Sequence, residues 1–133
     1  MKKTLLAVLL VLILCMATAC GGGSIDGYYK MTGGVFEKSQ ASFFEENGGF
    51  YLIVNKDKTF KACIRGSIWE GSGFTWDEQN FFWSDDDGMK YEFKDNVLSM
   101  SLTKNPSAVS PIFTKVTNSD EISKIDEAFK NAK

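Results

Sequence analysis

Histidine is missing from this chain of 133 residues, and proline occurs only twice. Without an imidazole, the serine–histidine–aspartate and cysteine–histidine arrangements have no general base, and the commonest zinc ligand is gone. No nucleophile motif stands in for them, so no catalytic residue and no metal ligand is expected, and the reading is non-enzymatic. Cysteine is scarce: Cys15, Cys20 and Cys63. Basic residues are outnumbered, 15 Lys and Arg against 17 Asp and Glu. Nucleic acid is therefore not an expected partner, because phosphate backbones are held by positive charge. The apolar run Leu5–Leu14 falls short of the roughly 20 residues that a permanent membrane-spanning helix needs.

That run has a purpose in its context. Met1-Lys2-Lys3 supplies a positive start, Leu5–Leu14 an apolar stretch, and Ala17-Thr18-Ala19 the small residues that fit a signal-peptidase pocket. Cys20 follows directly. The pattern reads as a lipoprotein signal over residues 1–19, with cleavage after Ala19 and a thioether-linked diacylglycerol on Cys20. Position −3 holds Ala17, where leucine is usual. The diacylglycerol is the only covalent group expected, and no other cofactor is. Residues 20–24 are then the lipidated cysteine and a Gly21-Gly22-Gly23-Ser24 tether, flexible by composition. Acyl chains contribute about 0.8 kcal/mol per buried CH₂, so the chain is expected to stay lipid-anchored to the cell membrane on its extracytoplasmic face. Processing removes Lys2 and Lys3, taking the basic count from 15 to 13 against 17 acidic residues, a net charge of −4. It also removes Cys15, which leaves Cys63 without an intrachain partner and best read as a small buried hydrophobe.

The rest is rich in aromatics: 11 Phe, 4 Tyr and 3 Trp, with 12 Gly. Such composition favours strands broken by turns. A first strand is predicted over Ile25–Met31, ended by Thr32-Gly33-Gly34. Val35–Glu46 reads either as one or two helical turns or as a loop over a barrel mouth. Strands follow at Phe50–Asn55, Thr59–Arg65, Ser67–Trp76, Phe81–Ser84, Met89–Lys94, Val97–Leu102 and Pro111–Val116, with Gly71 and Gly73 permitting a bulge. Parity supports a register: Trp76 opposite Phe81, Phe93 opposite Leu98, Tyr91 opposite Met100. All the large apolar residues of those strands except Phe82 then share one face, while Lys90, Glu92, Lys94, Ser99 and Ser101 share the other. Leu52, Val54, Phe60, Ala62 and Ile64 are predicted inward on the earlier hairpin. The fold class is mainly β, an antiparallel up-and-down meander over residues 25–117 closing into a small barrel. Residues 118–133 form an amphipathic C-terminal helix, capped by Asn118 or Ser119, with Ile122, Ile125, Phe129 and Ala132 on one stripe.

Four apolar residues fall on the predicted outer face: Tyr51, Ile53, Trp69 and Phe82. They form a candidate contact patch, which the C-terminal helix would cover at least in part. Asp85-Asp86-Asp87-Gly88 has neither the glycine nor the glutamate spacing of a calcium loop and reads as a charged turn. Glu45-Glu46 reads as a solvated pair. The glycine run beside Cys20 does not lie between a strand and a helix, so it is not a phosphate cradle.

The signal, the tether and the stretch from Tyr28 to Val116, notably Tyr51, Phe60, Gly73, Trp76, Gly88, Tyr91, Phe93, Leu98 and Phe113, resemble small lipocalin-like lipoproteins of Gram-positive bacteria. The pattern departs at Lys58 and Asn96, where glycine is usual. The resemblance implies a cell-surface, lipocalin-like barrel of uncharacterised activity. Two functions are therefore expected in the alternative: a membrane-tethered binding module for an envelope protein, peptide or glycan, or a carrier of a small apolar ligand inside the barrel. The many interior aromatics argue for a filled core.

Overall fold

The computed structural model describes residues 24–84, 88–102 and 104–133. The signal segment, Ala19, Cys20, Gly21-Gly22-Gly23 and the Asp85–Asp87 turn lie outside the described residues. Among the described residues ten strands and two helices follow one another: β1 (Gly27–Phe36), β2 (Ser39–Gln40), α1 (Ala41–Glu46), β3 (Phe50–Val54), β4 (Phe60–Ile64), β5 (Ser67–Trp69), β6 (Thr75–Trp76), β7 (Asn80–Phe82), β8 (Gly88–Lys94), β9 (Val97–Ser101), β10 (Val109–Val116) and α2 (Ser119–Asn131). The strands form one antiparallel sheet in the order β5-β4-β3-β1-β10-β9-β8-β7-β6, with β2 attached to β1. The first strand thus lies between β3 and β10, as it does when a meander closes on itself. The remaining edges meet at one end. Thr59 bridges Thr75, Phe60 N–H donates to the Phe74 carbonyl at 3.1 Å, and Trp76 N–H to that of Lys58 at 2.9 Å. The protein is a mainly β, strongly curled meander of small-barrel type with one C-terminal helix.

The predicted register holds where it was argued. Trp76 pairs with Phe81, Phe93 with Leu98 and Tyr91 with Met100. Phe81, Leu98, Met100 and Met89 are buried, as are Leu52, Val54, Phe60, Ala62 and Ile64 of the first hairpin. The interior is a lattice of edge-to-face rings. Phe50 meets Phe113 at 5.0 Å, and Phe60 meets both Phe81 and Trp83 at 5.0 Å. Such pairs add to the area term rather than replace it. Trp76 Nε1 donates to the Asn55 carbonyl at 3.0 Å, whereas Trp83 Nε1 is buried with no partner among the described residues.

Two expectations fail for one reason: an extra residue or more in a strand. The glycine pair does not end the first strand, because β1 runs through it to Phe36. Met31 pairs with Phe113 but Gly33 with Ile112, so Thr32 is squeezed out as a bulge. The bulge flips side-chain parity, and Phe36, opposite Val109, joins the core-facing side. Gly34 sits at φ +70°, and a Cβ there would lie 2.0 Å from the Ser110 carbonyl oxygen, so only glycine fits. The predicted Ser67–Trp76 strand is likewise β5 and β6 with residues 70–74 between them. Ala62 pairs with Trp69, yet Thr59 bridges Thr75, so three more residues lie along this strand than along β4. That odd number reverses the face of Trp69. The last strand also begins earlier than predicted, at Val109, because the β1 bulge keeps Gly34 and Val35 in pairing distance of Pro111 and Ser110.

The C-terminal helix forms where its cap and stripe place it. The Asn118 side chain accepts from Asp120 N–H at 2.8 Å and Glu121 N–H at 3.3 Å, satisfying two free helix donors. Ile125 and Phe129 are buried in a second apolar cluster with Cys63 and Val116, flanked by Tyr28, Tyr51, Ile53 and Ile68. Thirteen isolated residues would be marginal in water, so docking supplies most of the stability of α2. The Tyr28 hydroxyl, hydrogen-bonded to Asp126, titrates above the ordinary tyrosine value. Burial pushes Tyr51 and the Cys63 thiol upward as well.

Candidate functional site

The residues of the predicted contact patch are scattered. Tyr51 and Ile53 lie beneath α2. Phe82 lies on β7 against Gly88. Trp69 points to the opposite face, because of the irregularity after β5. It remains 47 % exposed, and the other exposed large hydrophobic among the described residues is Phe43, at 39 %. These two line the same depression of about 450 Å³ at one end of the barrel.

The local sequence explains the wall of this mouth. After β1 a two-residue turn, Glu37 (φ 49°) and Lys38 (φ 67°), reverses the chain into β2. Positive φ at both central residues is the hairpin turn that matches strand twist. Helix α1 follows at the barrel end, so the helical reading of Val35–Glu46 holds for its second half, while its first half is a β-hairpin that neither reading gave. Its adjacent phenylalanines cannot share a face. Phe44 is buried, 5.3 Å from Phe50 and 6.2 Å from Phe36, and Phe43 is left outside. The helix closes on Asn47, whose side-chain amide donates to the Phe43 carbonyl at 2.7 Å. That commitment leaves the Asn47 Oδ1 lone pairs for another donor.

The opposite wall is the β4–β5 turn. Arg65 (φ 52°) and Gly66 (φ 79°) repeat the double positive φ. Arg65 N–H donates to the Gly49 carbonyl at 2.9 Å, and Lys133 N–H to that of Gly66 at 3.1 Å, which pins the turn from both sides. The guanidinium stands 5.1 Å from the Phe43 ring centroid, a cation–π arrangement that steadies both. Glu37, Ser39 and Ser67 complete the rim.

Sequence reasoning named Trp69, though on the outer face with Tyr51, Ile53 and Phe82, and did not name Phe43, Arg65, Glu37 or Asn47. The signal for Phe43 was present: of two adjacent phenylalanines on a short surface helix, one must be exposed. Nothing local marks Arg65 or Glu37, since turn charges are common.

A larger groove of about 780 Å³ crosses the outer face of β8, β9 and β10, past Lys90, Glu92, Ser99 and Ser101. It is the wet face expected of an antiparallel sheet. Among the described residues no cluster of His, Cys, Asp or Glu is arranged to hold a metal ion, and no helix is long and apolar enough to cross a membrane. No protein-family profile, curated protein or solved structure matches this chain.

Proposed function

We propose that this chain is a membrane-anchored, extracytoplasmic lipoprotein, acylated at Cys20 after cleavage behind Ala19, that acts as a non-enzymatic binding module through the barrel mouth. The observation that carries the binding role is the convergence of Phe43 and Trp69 on one depression. Exposed aromatics beside an arginine are the side chains that dominate contact energies. Placement favours the same reading. β1 starts at Gly27, opposite Val54, and ends at Phe36, on the mouth. Its ten residues at about 3.3 Å each put roughly 30 Å between the tether end and the mouth. Lys115 Nζ donates to the Ser24 carbonyl and the Tyr29 hydroxyl to that of Ile25, fixing Ser24 and Ile25 at the end away from the mouth. A lipid on Cys20 would therefore attach at the end of the barrel away from the mouth and leave the mouth unobstructed by the anchor.

A carrier would need interior volume. Here ring pairs between 5.0 and 6.4 Å occupy that space, so the mouth is the more suitable surface. The test uses a photo-crosslinking amino acid at position 43 and, as control, at Lys90 in producing cells. Adducts at 43 and none at 90 are expected. Absence of adducts at 43, or equal yields at both, would remove the binding role from the mouth. Cys20→Ser should leave unprocessed or released protein; unchanged mass and membrane partition would refute acylation.

A further inference from the structure

We infer that the mouth recognises a neutral saccharide, with a pyranose ring stacked on the Trp69 indole. This rests on the mouth being a binding surface and specifies its ligand class. The depression is not an apolar slot. Its ten lining residues divide equally between apolar side chains and Glu37, Ser39, Asn47, Arg65 and Ser67. A purely apolar ligand would strip water from those polar groups without replacing its hydrogen bonds. An anionic ligand would meet Glu37 as well as Arg65, and a cationic one the reverse, so the rim charges balance. A peptide would be held best by strand addition or by a deep side-chain pocket. The adjoining edge strand, β5, has only three residues, too few for strand addition, and half of the lining of the depression is polar, unlike a pocket for an apolar side chain.

A pyranose satisfies both halves of the lining at once. Its ring carbons present a flat face of C–H groups, weakly positive, which the electron-rich face of an indole attracts. Its hydroxyls are donors and acceptors around the edge. Asn47 Oδ1 and the Glu37 carboxylate accept, the Arg65 guanidinium donates, and the Ser67 hydroxyl does either. Glu37 and Arg65 stand on two-residue turns, and the Arg65 turn is tied down by its bonds to Gly49 and Lys133. Side chains carried on fixed backbone lose less freedom on binding.

The test titrates the full chain with a β-1,4-linked N-acetylglucosamine tetrasaccharide and with cellotetraose, followed by tryptophan fluorescence. A saturable change is expected with at least one of them. It should vanish in Trp69→Ala and persist within twofold in Trp83→Phe, and the affinity should fall at least tenfold in Glu37→Gln. Trp69 is exposed, so Trp69→Ala should melt as the parent does, and circular dichroism checks this. No saturable change, or a change that survives Trp69→Ala, overturns the saccharide assignment. The photo-crosslinker at position 43 separates the two levels of failure. Adducts that are protease-sensitive and free of glycan, without a saccharide response, overturn the ligand class and leave the mouth a binding surface. No adducts and no saccharide response overturn both.

Discussion

Trp76 and Trp83 provide a matched test of the barrel interior. Both rings pack in the same core, but only one indole N–H is satisfied. Replacing either by phenylalanine removes about 2 kcal/mol of buried ring area and packing. For Trp76→Phe the bond to the Asn55 carbonyl is also lost, at a further cost of about 1 kcal/mol, giving roughly 3 kcal/mol in all. For Trp83→Phe a buried, unpaired donor disappears, returning about 1–2 kcal/mol, so the net cost should lie between roughly 0 and 1 kcal/mol. The partial exposure of Trp83 acts in the same direction. Urea titrations followed by far-ultraviolet circular dichroism measure both without relying on the mutated fluorophore, and an unchanged m value licenses the comparison. Equal costs for the two variants would refute the reasoning. Trp83 Nε1 would then have a partner in solution, most simply water inside the barrel, and the interior would not be filled by side chains alone.

Truncation after Val116 removes the burial of Ile125 and Phe129, worth about 3–6 kcal/mol together, and should lower the melting temperature, create dye-binding surface and make Cys63 react with a thiol reagent at native pH. Unchanged melting, with Cys63 as reactive in the full chain as in the truncated one, would show that α2 does not dock. In the full chain Tyr28, Tyr51 and Cys63 all titrate above their ordinary values, so the neutral forms are the ones the α2 interface favours. Their contribution is complete below the unfolded pKa values, about 8.5 for Cys and about 10 for Tyr, and is lost as pH rises through the folded ones. Thiol reactivity of Cys63, corrected for thiolate fraction, should therefore rise in this alkaline range as α2 loosens; a flat corrected profile would contradict this. Lys38→Gly removes a left-handed non-glycine residue while keeping its N–H bond to the Ala108 carbonyl at 3.0 Å, and should stabilise by about 0.5–1 kcal/mol in the same urea assay. A destabilised variant would mean that the Lys38 side chain makes a contact of its own.

The parts of the fold that could be read from the sequence are those in which period two is uninterrupted. From Trp76 to Ser101 each strand is short and the turns keep parity, so one assumed pair fixes all the others. The α2 cap was legible because Asn118 is followed by two acidic residues and an apolar stripe. Lys58 and Asn96 adopt φ of 71° and 64°, left-handed turn positions that glycine would fill with less strain. What could not be read is how many residues a bulge absorbs. Glycines at 33, 34, 71 and 73 advertise irregular backbone, but one extra residue or three reverse every side chain beyond them, while two would reverse none.

Those irregularities account for the mouth. Had β1 kept the parity of Tyr29 and Met31, Phe36 would point to the outer face, and Phe44 of α1 would lose one of the two core rings it packs against, keeping Phe50. Had β5 and β6 been one regular strand, Trp69 would lie on the outer face with Tyr51 and Ile53, beneath α2. Instead Thr32 turns Phe36 in beneath Phe44, and the segment after Trp69 turns that indole into the depression. A meander of strict alternation would bury one face, wet the other and leave no aromatic ring at its end. The extra residues cost backbone pairing at both places, and bulges of this kind are common at barrel rims, where they re-aim a side chain. Here the side chains re-aimed are two aromatic residues that line the same depression, on strands that are not neighbours in the sheet.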